Sequence, residues 1–326
     1  MSILIVANPT SGAGCGKNLL DETLSNPACL LSLAQLCGVK NEPKLWPFLT
    51  TTPDSSPDSS WKIELEGALK TQNLKAVLVI GGDGTLLEVA TLLSQHPDVS
   101  LVAIPGGRGN DFVRGFYGYE NHGKSFWSWC ADQNLHWEKQ KIDLGCANGK
   151  IYLNMASLGY GGHIVEKALH RHAFWSQTSA VYQVEGALAL CQWVEVPCKI
   201  EVEVERSSAS SSKELVYQGP FYGAFIANGK TNGSGLFWTP EADLMDGKLD
   251  CIWFQKPGVF EMLKSLSLVK IKQNPSFPYQ RAQYKEVIFH FEKPIPLELD
   301  GEWIGSFTQH RFFCLPQSLS VCMLKK

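Results

Sequence analysis

Ala76-Val77-Leu78-Val79-Ile80-Gly81-Gly82-Asp83-Gly84-Thr85-Leu86-Leu87-Glu88-Val89-Ala90 is the stretch that decides the fold. The apolar run Ala76 to Ile80, stopped by glycine, reads as a buried strand, and Leu86 to Ala90 opens an amphipathic helix. The Gly-Gly-Asp-Gly-Thr turn between them therefore lies at a strand's carboxyl end, where open α/β sheets hold their ligands. Its glycines allow positive φ and a close backbone approach to a bulky anion, and amides following a strand can point at phosphate oxygens. Asp83 adds a carboxylate able to orient a magnesium-bound nucleotide. Taken alone, the turn is equally well read as a tight βα connection.

Two further turns of the same type favour the phosphate reading. The run Ile3 to Ala7 ends in Asn8-Pro9-Thr10-Ser11-Gly12-Ala13-Gly14, and Leu101 to Ile104 ends in Pro105-Gly106-Gly107-Arg108-Gly109-Asn110-Asp111. Strand-end loops of small residues in consecutive βα units converge on one edge of a parallel sheet, so a single crevice lined by all of them is the economical arrangement.

The motifs continue in order through Ser157-Leu158-Gly159-Tyr160-Gly161, Pro240-x-Ala242-x-x-x-Asp246-Gly247-x-Leu249-Asp250 and Leu299-Asp300-Gly301-Glu302. As an ordered set, from residue 8 to residue 302, they resemble the diacylglycerol kinase-like lipid kinases, which include sphingosine, ceramide and bacterial diacylglycerol kinases. The resemblance implies an N-terminal nucleotide-binding α/β domain with a parallel sheet, followed by an antiparallel β-sandwich, with the active site in the cleft between them. It also implies transfer of the γ-phosphoryl group of ATP to a lipid hydroxyl with Mg2+ as cofactor. Such chemistry needs phosphates held in place, charge spread by a metal, and a base aligned with the hydroxyl.

Carried over residue by residue, the resemblance implies a nucleotide cradle of Asn8, Pro9, Thr10, Ser11, Gly12, Gly82, Gly84 and Thr85, with Asn110 as an amide donor and Glu88 and Thr50 beside it. Asp83 and Asp111 match carboxylates required for activity, and Asp143 matches an acidic position near that network. Glu302 matches the proposed proton acceptor, although Asp300-Gly301 also reads as a plain hairpin turn with exposed acids. Asp246, with the carbonyls of Asp243 and Lys248, matches a structural magnesium site, and Asp246-Gly247 reads equally as an ordinary turn. Gly159 and Gly161, before a helix, are candidates for approach by a lipid head group. The chain departs from the family at Arg108, where threonine is frequent, and at Leu87, where asparagine is frequent. Arg108 is either a bidentate phosphate donor or a surface arginine paired with an acid.

Composition sets the broader bounds. A chain of 326 residues is long for one core, and the predicted division is residues 1–142 and 143–319, with residues 320–326 returning to the first domain. Strands alternate with helices up to about residue 140; beyond it, Asn148-Gly149 reads as a hairpin turn, and Lys199 to Glu205 and Val287 to Phe291 alternate as half-exposed strands. A helical stretch is expected from about Ser176 to Val194, and flexible loops at Pro53 to Ser60 and Ser207 to Ser212. The net charge of −3 gives no broad case for nucleic acid or an anionic surface. Ten scattered cysteines, without metal spacing, fit free thiols in a reducing compartment. The expectation is a soluble cytoplasmic protein, peripheral at most at the inner membrane face, with a lipid substrate, transient membrane-surface contact and a homodimer only as a base rate.

Several signals read more simply. Gly12 to Lys17 is out of register for a P-loop, and Asn18 stands where Ser or Thr would bind magnesium. His163, His170 and His172 read as helix or loop histidines rather than a metal site. Phe174, Trp175, Tyr182, Leu188, Leu190 and Trp193 read as core rather than lipid-facing. The rival functions are an NAD kinase, which shares the Gly-Gly-Asp-Gly-Thr turn and the two-domain plan, and a catalytically silent lipid- or nucleotide-binding regulator.

Overall fold

The computed structural model describes residues 2–25, 27–40, 48–51, 59–119, 125–132, 135–171, 179–207 and 210–325. The chain forms two compact units, Met1–Ile142 with Gln317–Lys326, and Asp143–Pro316.

The first unit runs β1 (Ser2–Ala7), α1 (Ser11–Ser25), α2 (Pro27–Leu36), β2 (Phe48–Thr50), α3 (Ser60–Thr71), β3 (Leu74–Gly81), α4 (Asp83–Leu93), β4 (Ser100–Pro105), α5 (Asp111–Tyr117) and α6 (Phe126–Asp132), then enters β5 (His136–Ala147). Its strands are parallel in the order β2-β1-β3-β4, and Val321, near the end of the chain, pairs in parallel with Leu101. Ile3 to Ala7, Ala76 to Ile80 and Leu101 to Ile104 are almost wholly buried, as expected of strands covered on both faces. The Ser320 and Ser100 hydroxyls are hydrogen-bonded at 2.9 Å, and the Tyr117 hydroxyl donates to the Cys322 carbonyl at 3.0 Å. Residues 12–17 lie in the first turns of α1, so the pseudo-P-loop is helix. The serine-rich segment expected as a loop falls outside the described residues at 53–58; Ser59 stands at the N-cap position of α3 without a side-chain cap bond, and Ser60 begins the helix.

The second unit continues with β6 (Lys150–Tyr152), β7 (Met155–Gly159), α7 (Tyr160–Arg171), α8 (Ser179–Gln192), β8 (Val196–Ser207), β9 (Ser210–Phe221), β10 (Gly223–Ala227), β11 (Leu249–Phe254), α9 (Val259–Lys270), β12 (Tyr279–Tyr284), β13 (Glu286–Leu299) and β14 (Glu302–Lys325). Its pairings are antiparallel, in the order β12-β11-β10-β7-β13-β14, with β8 and β9 added on β13. Asn148 and Gly149, both at positive φ, form the tight turn between β5 and β6. The alternating runs at 199–205 and 287–291 lie in β8 and β13 and pair with each other. Of the loop expected over 207–212, Ser207 lies in β8 and Ser210 to Ser212 lie in β9, paired with β8, while residues 208 and 209 lie outside the described residues. A ladder needs no apolar side chains, which is why polarity misled there.

Side-chain alternation sorts the core of this unit. Ala224, Ile226, Cys251 and Trp253 face one cluster with Phe289, Leu297 and Phe312, whereas Phe225, Ala227, Ile252 and Phe254 face another with Leu190, Met262 and Val269 of the helices. Both faces of β10 and β11 are thereby buried. Leu190 is core, and Trp193 is partly buried, its indole donating to the Tyr222 carbonyl at 2.8 Å; Phe174 and Trp175 lie outside the described residues, as does His172. His163 stacks on Trp193 beside Glu166, and burial holds its pKa below the ordinary histidine value.

Candidate active site

In the first unit the strand-end loops interlock through their backbones. The Gly106 amide donates to the Gly81 carbonyl at 2.8 Å. A Cβ on Gly107 would lie 2.4 Å from Gly82 Cα, and one on Gly12 would lie 2.7 Å from the Gly106 carbonyl oxygen. Neither can form, so glycine is required there by contact between loops. The Asn8 amide donates to the Thr85 hydroxyl at 3.1 Å, and Asn8 Oδ1 accepts from the Thr10 amide and hydroxyl at 3.2 and 2.9 Å. The Ser11 hydroxyl sits 2.8 Å from both the Asn8 and Gly106 carbonyls, joining the first loop to the third. The sequence thus builds a rim of small residues at the carboxyl ends of β1, β3 and β4, with α1 and α4 beginning immediately behind it. Helix N-termini there favour a bound anion.

The remaining residues take definite places around this rim. Asp83 heads α4 and Asp111 heads α5, and the Phe112 amide donates to Asp83 at 3.3 Å. Asn110, at φ 52, closes its own loop by exchanging 2.8 Å hydrogen bonds with the Gly107 amide and carbonyl. Arg108 is exposed, and Leu87 is buried in α4. Thr50 ends β2 opposite Ala7, and Glu88 pairs with Lys62 of α3 at 2.8 Å.

In the second unit, Asp300 and Gly301 both have positive φ and connect β13 to β14, with Leu299 opposite Glu302. The turn is therefore a hairpin, but its two acids differ. Glu302 is exposed, whereas the half-buried Asp300 carboxylate accepts the amides of Leu153, Asn154 and Met155 at 2.6, 2.9 and 2.9 Å. Burial, reinforced by Glu298 nearby, pushes its pKa up to about 7 against the pull of those amides. Glu298 is buried and accepts the Ser157 hydroxyl and the Gly301 amide, with the Asn232 side chain 3.4 Å away. Two inward-facing acids, the buried Glu298 and the half-buried Asp300, thus hold the turn from below and leave Glu302 exposed. No motif marks that role for Glu298. Its only trace in the sequence is an acid between Leu297 and Leu299 in an otherwise apolar strand end.

Gly159 and Gly161 are constrained by packing. A Cβ at 159 would meet the Tyr222 carbonyl oxygen at 2.6 Å, so the end of β7 packs on the start of β10 only without a side chain, and one at 161 would meet the Ser157 hydroxyl at 2.7 Å, so α7 sits close against β7 only because that side chain is absent. Asp143 joins the 243–248 loop: its amide donates to the Leu244 carbonyl at 2.6 Å, and its carboxylate accepts the Gly247 amide at 2.7 Å. Asp243 and Asp246 each accept the amide two residues on, at 3.0 Å, so the loop is curled by two successive side-chain turns. Asp250 is paired with Arg281 at 2.7 Å, and Gln283 bridges Asp250 and Asp246. Partial burial, with Asp250 and Asp243 as neighbours, raises the pKa of Asp246, despite the Lys248 amide, so the site carries negative charge that a cation would relieve. Among the described residues no group of three His, Cys, Asp or Glu side chains forms a metal cage, so an ion here would draw mainly on backbone and water oxygens. A magnesium ion accepts such a hard, oxygen-only donor set.

The diacylglycerol kinase catalytic domain family matches residues 2–147, and the YegS C-terminal NAD kinase beta sandwich-like domain family matches residues 154–323. A diacylglycerol kinase of Staphylococcus carnosus is 27% identical over 325 residues, covering 97% of this chain and 93% of that protein. A probable lipid kinase YegS-like protein of Pseudomonas aeruginosa is 31% identical over 171 residues, covering 52% of this chain and 51% of its own. A solved structure described as a putative diacylglycerol kinase from Bacillus anthracis superposes with a TM-score of 0.65 at 18% identity, covering 98% of this chain and 96% of the other, a likeness of fold. With both halves of the chain matched, this protein belongs to the diacylglycerol kinase-like lipid kinases.

Proposed function

We propose that this lipid kinase transfers the γ-phosphoryl group of ATP to the primary hydroxyl of a diacylglycerol-like or sphingoid lipid. The observation that carries the reading is the interlocked rim of the first unit, where Gly107 packs on Gly82 more closely than a side chain permits and the strand-end loops lead straight into the N-termini of α1 and α4, which favour a bound anion. In this reading Asn8, Pro9, Thr10, Ser11, Gly12, Gly82, Gly84 and Thr85 hold the triphosphate, with Thr50, Glu88, Arg108 and Asn110 around them. Asp83 and Asp111 are the acids that would hold a magnesium ion beside the phosphates, where it would spread the charge of the transferring group. Asp246, with the carbonyls of Asp243 and Lys248, would hold a second magnesium, and Asp143 ties that loop in place.

Glu302 accepts the proton of the lipid hydroxyl as its oxygen forms the new bond to phosphorus. The bond from phosphorus to the β-phosphate oxygen breaks, and ADP leaves with the electron pair. An exposed carboxylate on a turn fixed by Asp300 and Glu298 lies where an incoming hydroxyl can meet it while its backbone stays in place. The test is transfer of radiolabel from ATP, with magnesium, to mixed micelles carrying diacylglycerol, sphingosine, ceramide or a polyprenol, with soluble NAD alongside. Label in a lipid is expected. Label in NAD alone would replace the reading with that of an NAD kinase, and ATP binding without transfer to any acceptor would favour a silent regulator.

A further inference from the structure

The exposed side of α9 combines apolar knobs with basic charge. Met262, Ser265 and Val269 are buried beneath the helix, while Phe260 is 79% and Leu263 53% exposed, with Val259 and Ile271 beside them. Between residues 255 and 274 stand Lys256, Lys264, Lys270 and Lys272, all exposed, against the single acid Glu261, in a chain whose net charge is −3. Glu261 itself is turned to its own helix start, accepting the Gly258 amide at 2.9 Å. The local sign is thus the reverse of the whole molecule's, and it coincides with the most exposed phenylalanine among the described residues.

We propose that α9 is a membrane-docking face, inserting Phe260 and Leu263 between the acyl chains of an anionic bilayer while Lys264, Lys270 and their neighbours meet the head groups. Projecting apolar side chains flanked by ammonium groups are what an interfacial helix presents; a helix-binding protein partner is instead met by a groove. A second copy of this chain fits poorly, since a two-fold contact would set lysines against lysines. The same logic gives each surface lysine a share of the attraction to an acidic leaflet. The proposal supplies the lipid kinase with its route to a membrane-embedded acceptor and rests on that reading for why a bilayer is the target.

The test is cosedimentation of the full chain, without nucleotide, with vesicles of phosphatidylglycerol and phosphatidylcholine or of phosphatidylcholine alone, at low and high salt. Binding to the anionic vesicles that weakens with salt is expected, and Phe260→Ala/Leu263→Ala and Lys264→Glu/Lys270→Glu should each lower the partition constant by about tenfold or more. Wild-type binding that neither double variant alters, or no binding at all, would overturn it, as would retention on polyglutamate by a chain that ignores vesicles. Phosphorylation of a short-chain lipid dispersed as monomers should be equal in all three proteins. Its loss everywhere, with vesicle binding intact, would count against the kinase reading alone.

Discussion

Gly107 sits where two loops touch, and its missing side chain is a condition of the proposed nucleotide site. A Cβ there would be driven to 2.4 Å from Gly82 Cα, backbone that cannot rotate away. Gly107→Ala should therefore wedge the second and third loops apart, costing about 1 to 3 kcal/mol of stability. ATP affinity should fall by about tenfold or more, since positioning errors near 1 Å are costly. Calorimetric ATP titration checks it, and unchanged affinity would show that the loops do not form the cradle. These glycines were legible in the sequence as a group, because strand, glycine turn and helix recur three times in the first 111 residues. Their division of labour was not. Asn110 belongs to its own loop and Glu88 to Lys62, pairings set by tertiary contact that spacing does not encode.

Among the elements, the β13–β14 hairpin shows how a turn serves a site. Asp-Gly predicts the turn, and the structure adds that Asp300 is the acceptor for three successive amides at the start of β7. Asp300→Asn tolerates the same backbone conformation but puts an amide group where acceptors are needed. It should cost about 2 to 4 kcal/mol by leaving buried donors unpaired. Urea unfolding measures this, and a loss below about 1 kcal/mol would deny Asp300 its structural role. The expectation of exposed acids at this turn holds for Glu302 and fails for Asp300. The reason is that both faces of β13 are covered near its end, so alternation no longer separates inside from outside.

For the whole molecule, stability should carry the mark of two groups withdrawn from water that titrate in opposite senses. His310, packed among Phe291, Phe307 and Phe312, is held neutral by burial, its pKa lowered from 6.5 to about 4. Between those values the unfolded chain binds more protons, so this contribution is complete above pH 6.5 and is lost as pH falls toward 4, about 3 kcal/mol in all. Asp300, raised from 3.8 to about 7, works the other way: the folded chain binds more protons, and stability is lost as pH rises through that window. The two slopes offset in the wild type. His310→Phe should unmask the Asp300 slope, so the stability difference between variant and wild type should change by about 3 kcal/mol from pH 4 to 6.5, and a constant difference would contradict the burial of a neutral imidazole. The most direct test of the kinase reading is the turnover of Glu302→Gln in the ATP-to-lipid transfer assay, read beside its ATP affinity. Turnover should fall by about 10² to 10⁴ with nucleotide affinity nearly unchanged; a variant that phosphorylates lipid at the wild-type rate would contradict Glu302 as the base.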